Sequence, residues 1–272
     1  MFDHVIVPID GSEHAAMALG PAVGLARAFG ATLVLLRALY PDDVDAAQEE
    51  LRALALSSGA DDTDVVLDTV NGPVGALTDA AGARPGALVC MTTHGRGGLG
   101  RALFGSVAEE ALREVGGPFV LVGPNCDPAV AVPGTVVVPL DGSRRSESIL
   151  PLVAEWARRF GVGIWIVSVV DPAEAERAVA RGDDLAEDAY VQRVAGSMPG
   201  GLPSVDWDVL RSADPAQAIT EFAASRGFST IAVATHGRTG LARVAVGSVA
   251  TRIVHDHAGL TLVVRTAEVD AS

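Results

Sequence analysis

Two aspartates stand at matching places in the chain, Asp10 in VIVPIDGS and Asp141 in VVVPLDGS, each just past an apolar run and followed by Gly-Ser. A carboxylate at the end of a buried strand can accept hydrogen bonds from sugar hydroxyls or from an exocyclic amine, while the glycine lets the backbone turn beside a ligand. The same three residues also make an ordinary turn and helix cap. On this block alone both readings stand. A second pair of blocks carries more. THGRGGLGRALFGS begins at Thr93 and THGRTGLARVAVGS at Thr235; in each, nine residues separate a first glycine (Gly95, Gly237) from a second (Gly105, Gly247), which Ser106 or Ser248 follows. A Gly-Ser pair at a helix start offers free amides and a hydroxyl at the positive end of the helix dipole, and that combination holds a phosphate without a surplus of basic side chains. Ser106 has a structural use as well. Glu109, three residues on, completes a capping box, whereas the second block has Thr251 at that place.

Arg96 and Arg238 sit inside the same loops and can add charge-assisted contacts to a phosphate, or can be ordinary exposed arginines. His94 and His236 precede the loop glycines. They invite a general-base role, but no nucleophile or orienting carboxylate accompanies them in the sequence, so loop ordering is the expected duty and no catalytic residue is assigned. Neither block fits the G-x-x-x-x-G-K-[S/T] phosphate loop, nor the G-x-G-x-x-G dinucleotide fingerprint in its early strand-to-helix context. Cys90 lies in an apolar run and reads as core; Cys126 lies in a Gly/Pro-rich stretch, where a thiol can react.

The elements that must position these residues follow from an internal duplication. VIVPIDGS and VVVPLDGS share six of eight residues at an offset of 131, and the two THGR blocks share 11 of 22 at an offset of 142. The second unit is therefore 11 residues longer between these blocks, in the stretch between its second and third expected strands. In the first unit short apolar runs at 5–9, 31–37, 65–70, 87–92 and 119–122 alternate with helical segments; 136–140, 163–170, 206–210, 230–234 and 261–265 repeat that order. Continuous Val, Ile and Leu runs favour parallel strands covered on both faces. The expected fold is α/β, two doubly wound, Rossmann-like five-stranded parallel-sheet domains, at 1–126 and 132–267, with 123–134 as connector and the boundary near Ala131.

Composition bounds the partners. The 272 residues carry 34 acidic against 20 basic side chains, a formal net charge of -14, which opposes nucleic acid or an anionic membrane as a partner. Hydrophobic residues make up 49% and aromatics only 4%, so the core is expected to be aliphatic. Two cysteines outside any Cys-x-x-Cys pair cannot make a disulfide framework or a four-cysteine zinc site, and the opening MFDHVIVPIDGS has no basic leader. A cytoplasmic, soluble, globular protein is expected.

These residues resemble the universal stress protein family over nearly all of both units, from VIVPIDGS through GPFVLVGP and from VVVPLDGS through GLTLVVRT. The resemblance implies strand order 3-2-1-4-5 in each unit and, as in many members, ATP as the bound cofactor. The latter part of the family pattern Gly-x-x-Gly-x9-Gly-Ser/Thr maps onto Gly95, Gly105 and Ser106 and onto Gly237, Gly247 and Ser248; Thr92 and Ala234 stand where its first glycine would be. The resemblance further implies that Asp10 and Asp141 contact the nucleoside and that main-chain groups around Ala38 and Val169 receive adenine. Fifth strands often pair in the family, so 119–122 and 261–264 are candidate edges that meet within one chain; further homodimerisation and a regulatory protein partner stay open. The expected function is an ATP-binding stress-response or regulatory protein, at most a weak Mg2+-dependent ATPase. The alternatives are an interaction scaffold without nucleotide and, less favoured, an adenylate or phosphoryl transferase.

Overall fold

A computed structural model describes residues 1–39, 44–93, 104–127, 134–181, 186–227, 229–235 and 247–265. The first unit runs β1 (His4–Pro8), α1 (Glu13–Ala16), α2 (Leu19–Phe29), β2 (Thr32–Ala38), α3 (Val44–Ser58), β3 (Thr63–Asp68), α4 (Gly72–Gly82), β4 (Ala87–Thr92), α5 (Ser106–Glu114) and β5 (Pro118–Val122). The second repeats it as β6 (Val136–Pro139), α6 (Arg144–Glu147), α7 (Leu150–Phe160), β7 (Ile164–Val170), α8 (Pro172–Arg181), α9 (Ala186–Ser197), β8 (Val205–Arg211), α10 (Pro215–Ala224), β9 (Thr230–Thr235), α11 (Ser248–Asp256) and β10 (Leu260–Arg265). The extra length of the second unit lies where α8 and α9 replace the single helix α3.

All strands join one ten-stranded sheet of order β3-β2-β1-β4-β5-β10-β9-β6-β7-β8, so each unit has the order 3-2-1-4-5 read from its own first strand. Pairing is parallel inside each unit. The one antiparallel ladder is the seam, where β5 and β10 pair from Val122 opposite Leu260 to Pro118 opposite Val264. The two edges proposed to meet within the chain therefore do so, and equivalent strands paired antiparallel relate the units by a local two-fold.

Side chains alternate across the pleat, which sends Val5 and Val7 to one face and Ile6 to the other. The first face packs under α2, α3, α7 and α9, represented by Leu25, Leu51, Trp156 and Val191; the second lies under α4, α5, α10 and α11, represented by Leu77, Leu112, Ile219 and Ile253. Both cores run without interruption from one unit into the other. At the seam Phe29 stacks against Trp156 and Phe160 with ring centroids 5.5 and 5.3 Å apart.

Strand limits shift by a residue or two from the sequence reading, most clearly in the third. The run expected at 65–70 is strand only from Thr63 to Asp68, because the Asp68 carboxylate accepts from the N–H groups of Val70 and Asn71 at 2.8 and 2.7 Å and turns the chain. The boundary expected near Ala131 lies outside the described residues. Among the described residues no helix is long and apolar enough to cross a membrane.

Candidate functional site

In each unit the first strand lies between the second and the fourth, the place where chain order along the sheet reverses. In open parallel sheets ligands bind beyond the carboxyl ends of the strands at such a point. Asp10 and Asp141 follow β1 and β6 directly. Their strand ends are fixed by the last ladder bonds, Ile9 N–H to Leu36 C=O at 2.7 Å and Leu140 N–H to Val167 C=O at 2.8 Å.

The carboxylates organise identical turns. Asp10 Oδ1 accepts from Ser12 N–H at 2.9 Å and from the Ser12 hydroxyl at 2.6 Å, and Ser12 Oγ accepts from Ala15 N–H at 3.1 Å. Asp141 Oδ1 accepts from Ser143 N–H at 3.0 Å and its hydroxyl at 2.6 Å, and Ser143 Oγ accepts from Ser146 N–H at 3.1 Å. The turn-and-cap reading of these residues is therefore real for one oxygen of each carboxylate. Burial works against the Asp141 charge, but the hydroxyls of Ser143 and Ser146 and the Ser143 N–H outweigh it and hold the carboxyl below its ordinary value. It is an anion at neutral pH.

Ala38 and Val169 occupy equivalent places near the carboxyl ends of β2 and β7. Each lies two residues past the carbonyl that makes the last bond to the first strand (Leu36, Val167), so its own N–H and C=O point the same way, beyond the end of that neighbour. On the opposite edge Leu39 N–H donates to Asp68 C=O at 2.9 Å and Ser212 N–H donates to Val170 C=O at 3.0 Å, which continues both ladders.

The glycine-serine pairs sit at the starts of α5 and α11. The helices begin one residue earlier than a serine cap would require: Gly105 and Gly247 are the N-caps, with φ/ψ of -71/154° and -61/155°, and no side chain caps either helix. This corrects the capping box read from Ser106 with Glu109. Both serines lie in the first turn, and Gly105 and Gly247 accept through their carbonyls from Glu109 N–H and Thr251 N–H at 3.0 and 2.9 Å. Gly105 N–H donates to Thr93 C=O at 2.7 Å, which ties the start of α5 to the end of β4.

The glycines differ in what the fold asks of them. Gly11 and Gly142 have φ of 82° and 81°, the left-handed region that disfavours other residues, so the turn itself demands glycine. Gly247 has a backbone conformation open to any residue, and a Cβ built on it meets nothing within 4 Å. Among the described residues neither backbone geometry nor packing requires a glycine there. Thr92 and Ala234, in place of the family's first glycine, continue their ladders opposite Val122 and Val264, so a Cβ there is accommodated by the strand.

Gly95, Arg96, Gly237, Arg238, His94 and His236 lie outside the described residues. The remaining sequence-selected residues are gathered at the carboxyl end of neighbouring strands in each unit. Beside Asp141 the structure adds two that sequence reasoning missed. Ser146 Oγ accepts from Asp141 N–H at 3.3 Å. Tyr190, on the α9 segment, brings a hydroxyl shielded from solvent, its pKa pushed up to about 12 by burial and by the Glu147 carboxylate. Ser146 was legible as a hydroxyl three residues after Ser143 on one helical face; Tyr190 comes from a distant helix and gave no local signal. Among the described residues no group of three or more His, Cys, Asp or Glu could hold a metal. Cys126, whose reactivity the sequence left open, is buried, and burial followed by the charge of Asp127 pushes its thiol up to about 11, which keeps it from the thiolate form.

Comparison with known proteins agrees with this architecture. Universal stress protein Rv2005c of Mycobacterium tuberculosis (strain ATCC 25618 / H37Rv) is 29% identical over 177 residues, 62% of this chain and 58% of that relative, so the match spans little more than half the relative's length. A universal stress protein from Archaeoglobus fulgidus DSM 4304 superposes with a TM-score of 0.72 at 18% identity, covering 97% of this chain and 99% of that one. The functionally unknown protein PA1789 from Pseudomonas aeruginosa PAO1 gives 0.68 at 15% identity over 97% and 92%. These likenesses establish the shared fold. The sequence profile of the universal stress protein family matches twice, at residues 1–123 and 134–265, and the chain belongs to that family as a tandem of two of its domains.

Proposed function

We propose that each unit, at 1–126 and 132–267, binds an adenine nucleotide, ATP, and that the protein acts as a nucleotide-responsive regulator. The nucleoside is assigned to Asp10 and Ala38 in one unit and to Asp141 and Val169 in the other. The phosphates are assigned to Gly105 and Ser106, and to Gly247 and Ser248. In the proposal Gly95, Arg96, Gly237 and Arg238 complete the loops around them, and Mg2+ enters as the counter-ion of the triphosphate.

The observation that carries this reading is Gly247: a residue repeated from Gly105 in the duplicate, at a helix start without a side-chain cap, where among the described residues nothing would meet a side chain. A ligand approaching the backbone supplies the reason, since phosphate oxygens must come within hydrogen-bond reach of the first amides of the helix. The backbone groups of Ala38 and Val169 that run past the first strand match what an adenine edge requires, one donor and one acceptor. Catalysis asks for more than ground-state affinity, namely a positioned attacking oxygen and charge stabilisation in the transition state. Hydrolysis is accordingly expected to be slow.

The test is calorimetric titration of ATP into the chain and into Gly247→Val. The variant is expected to lose one of two binding events while its unfolding free energy changes by no more than about 1 kcal/mol, the usual scale of N-cap substitutions. Unchanged binding would remove the second phosphate seat. A second reading, an interaction scaffold that holds no nucleotide, draws on Thr92 and Ala234, whose side chains stand where the family pattern has glycine. It predicts no saturable ATP binding by the unaltered chain.

A further inference from the structure

Beyond the β5–β10 ladder each unit reaches across the seam to the far end of the other unit's phosphate-seat helix. The guanidinium of Arg265, the last residue of β10, donates to the carbonyl of Arg113, two residues before the C-cap of α5. Asn125, in the turn after β5, donates from Nδ2 to the carbonyl of His255 at 2.9 Å, two residues before the C-cap of α11. Arg113 and His255 are equivalent positions of the duplication. Arg265 pairs in register with Thr235, where the second loop departs, while Thr93, where the first departs, donates its N–H to Val122 C=O at 3.2 Å, three residues before Asn125. Between them Gly123 passes so close to α11 that a Cβ would collide with the Val254 carbonyl oxygen.

Carbonyls at a helix C-terminus lack intrahelical partners and carry the negative end of the dipole, so a donor delivered there fixes the helix axis. α5 and α11 have nine residues each. A helix of that length is a rigid rod of about 13 Å, and a shift of its last turn is carried to its first amides. We propose that Arg265 and Asn125 are positioning residues acting across the seam, each holding the helix whose opposite end forms the other unit's phosphate seat. The proposal rests on the nucleotide reading. Arg265 brings a full charge to α5 and Asn125 a neutral amide to α11, so the arginine has the larger effect.

The experiment titrates ATP into the full chain carrying Gly105→Val or Gly247→Val, so that one seat is read at a time. In the Gly247→Val background, which reports the first seat, Arg265→Ala is expected to weaken ATP about fivefold, the scale of one hydrogen bond to a charged group shared over the helix. In the Gly105→Val background the same substitution, though in the unit that is read, leaves affinity within about twofold, again judged against the net value of one hydrogen bond. Asn125→Ala gives the mirror result with a smaller loss, and Arg265→Lys, which still donates, restores most of the affinity. Thermal unfolding of every variant checks that the chain is folded; if Arg265→Ala is not, Arg265→Met, which keeps the length of the side chain but has no donor, carries the same test. A loss at both seats alike, a loss in the donor's own unit, or no loss at either would overturn the positioning role while leaving the nucleotide reading in place. Failure of the unaltered chain to bind ATP would overturn both.

Discussion

At the residue scale the two units separate what the fold needs from what a ligand needs. Asp10 and Asp141 hold turns that exist without any ligand, and Gly11 and Gly142 are required by left-handed φ. Gly247 has an ordinary extended φ, and among the described residues nothing would meet a side chain on it. A second residue-scale contrast lies at His257, which is nearly fully buried where the first unit has Val115. Desolvation depresses its pKa, against a smaller opposing effect of the bond between Nε2 and Ser229 C=O at 3.0 Å. The folded state thus refuses a proton that the unfolded chain accepts with a pKa of about 6.5. Stability is therefore full above that value, falls as pH drops below it, and levels off only once the folded-state pKa is passed. Denaturant titrations between pH 7.5 and 5 are expected to show this decline, and His257→Val to flatten it; an equal slope in the variant would assign the decline to other groups.

At the scale of elements, the seam is the part of the fold that composition alone understates. Aromatics are only 4% of the chain, yet Phe29, Trp156 and Phe160 converge where α2 meets α7. Trp156 is wholly buried and its indole N–H finds no hydrogen-bond partner among the described residues, so its contribution is packing. Trp156→Ala is expected to cost about 3–5 kcal/mol, and Trp156→Phe much less, since no bond is lost; equal costs measured by urea unfolding would show that the indole is held by more than contact. The strand positions and the site of the longer segment were legible in aliphatic runs and a repeat offset, which are local signals, whereas strand order and the fifth-strand seam followed from the family resemblance. The helix starts were not legible. Glu109 after Ser106 satisfies the capping-box pattern, but Gly105 takes the extended N-cap conformation and Ser106 enters the helix. The environment of Cys126 was not legible either: it lies in a Gly/Pro-rich stretch, yet its N–H bonds Gly123 C=O at 3.1 Å and the turn folds into the core. Asn125 and Arg265 meet partners 130 and 152 residues away, and no local pattern announces such contacts.

At the scale of the whole molecule, the tandem builds within one chain an arrangement that separate copies would otherwise have to assemble. β5 and β10 each have two neighbours, so the seam strands are closed to further pairing. The outer edges, β3 and β8, carry Asp64 and Asp68, and Asp206 and Asp208, charges that oppose edge-to-edge association. Since both hydrophobic layers cross the seam, the units are expected to unfold together. Calorimetry should give one transition with equal van't Hoff and calorimetric enthalpies, and two resolved transitions would show that the cores are energetically separate. The excess of acidic groups leaves anion binding to backbone amides and helix ends, which is the central claim of the functional account. Its most direct test is to denature freshly purified, unsupplemented protein, identify and count any released nucleotide, and then titrate ATP into the refolded or nucleotide-stripped chain. The account predicts saturable binding of one adenine nucleotide in each unit. No released nucleotide together with no saturable binding would contradict it and leave the tandem fold as a scaffold for protein partners.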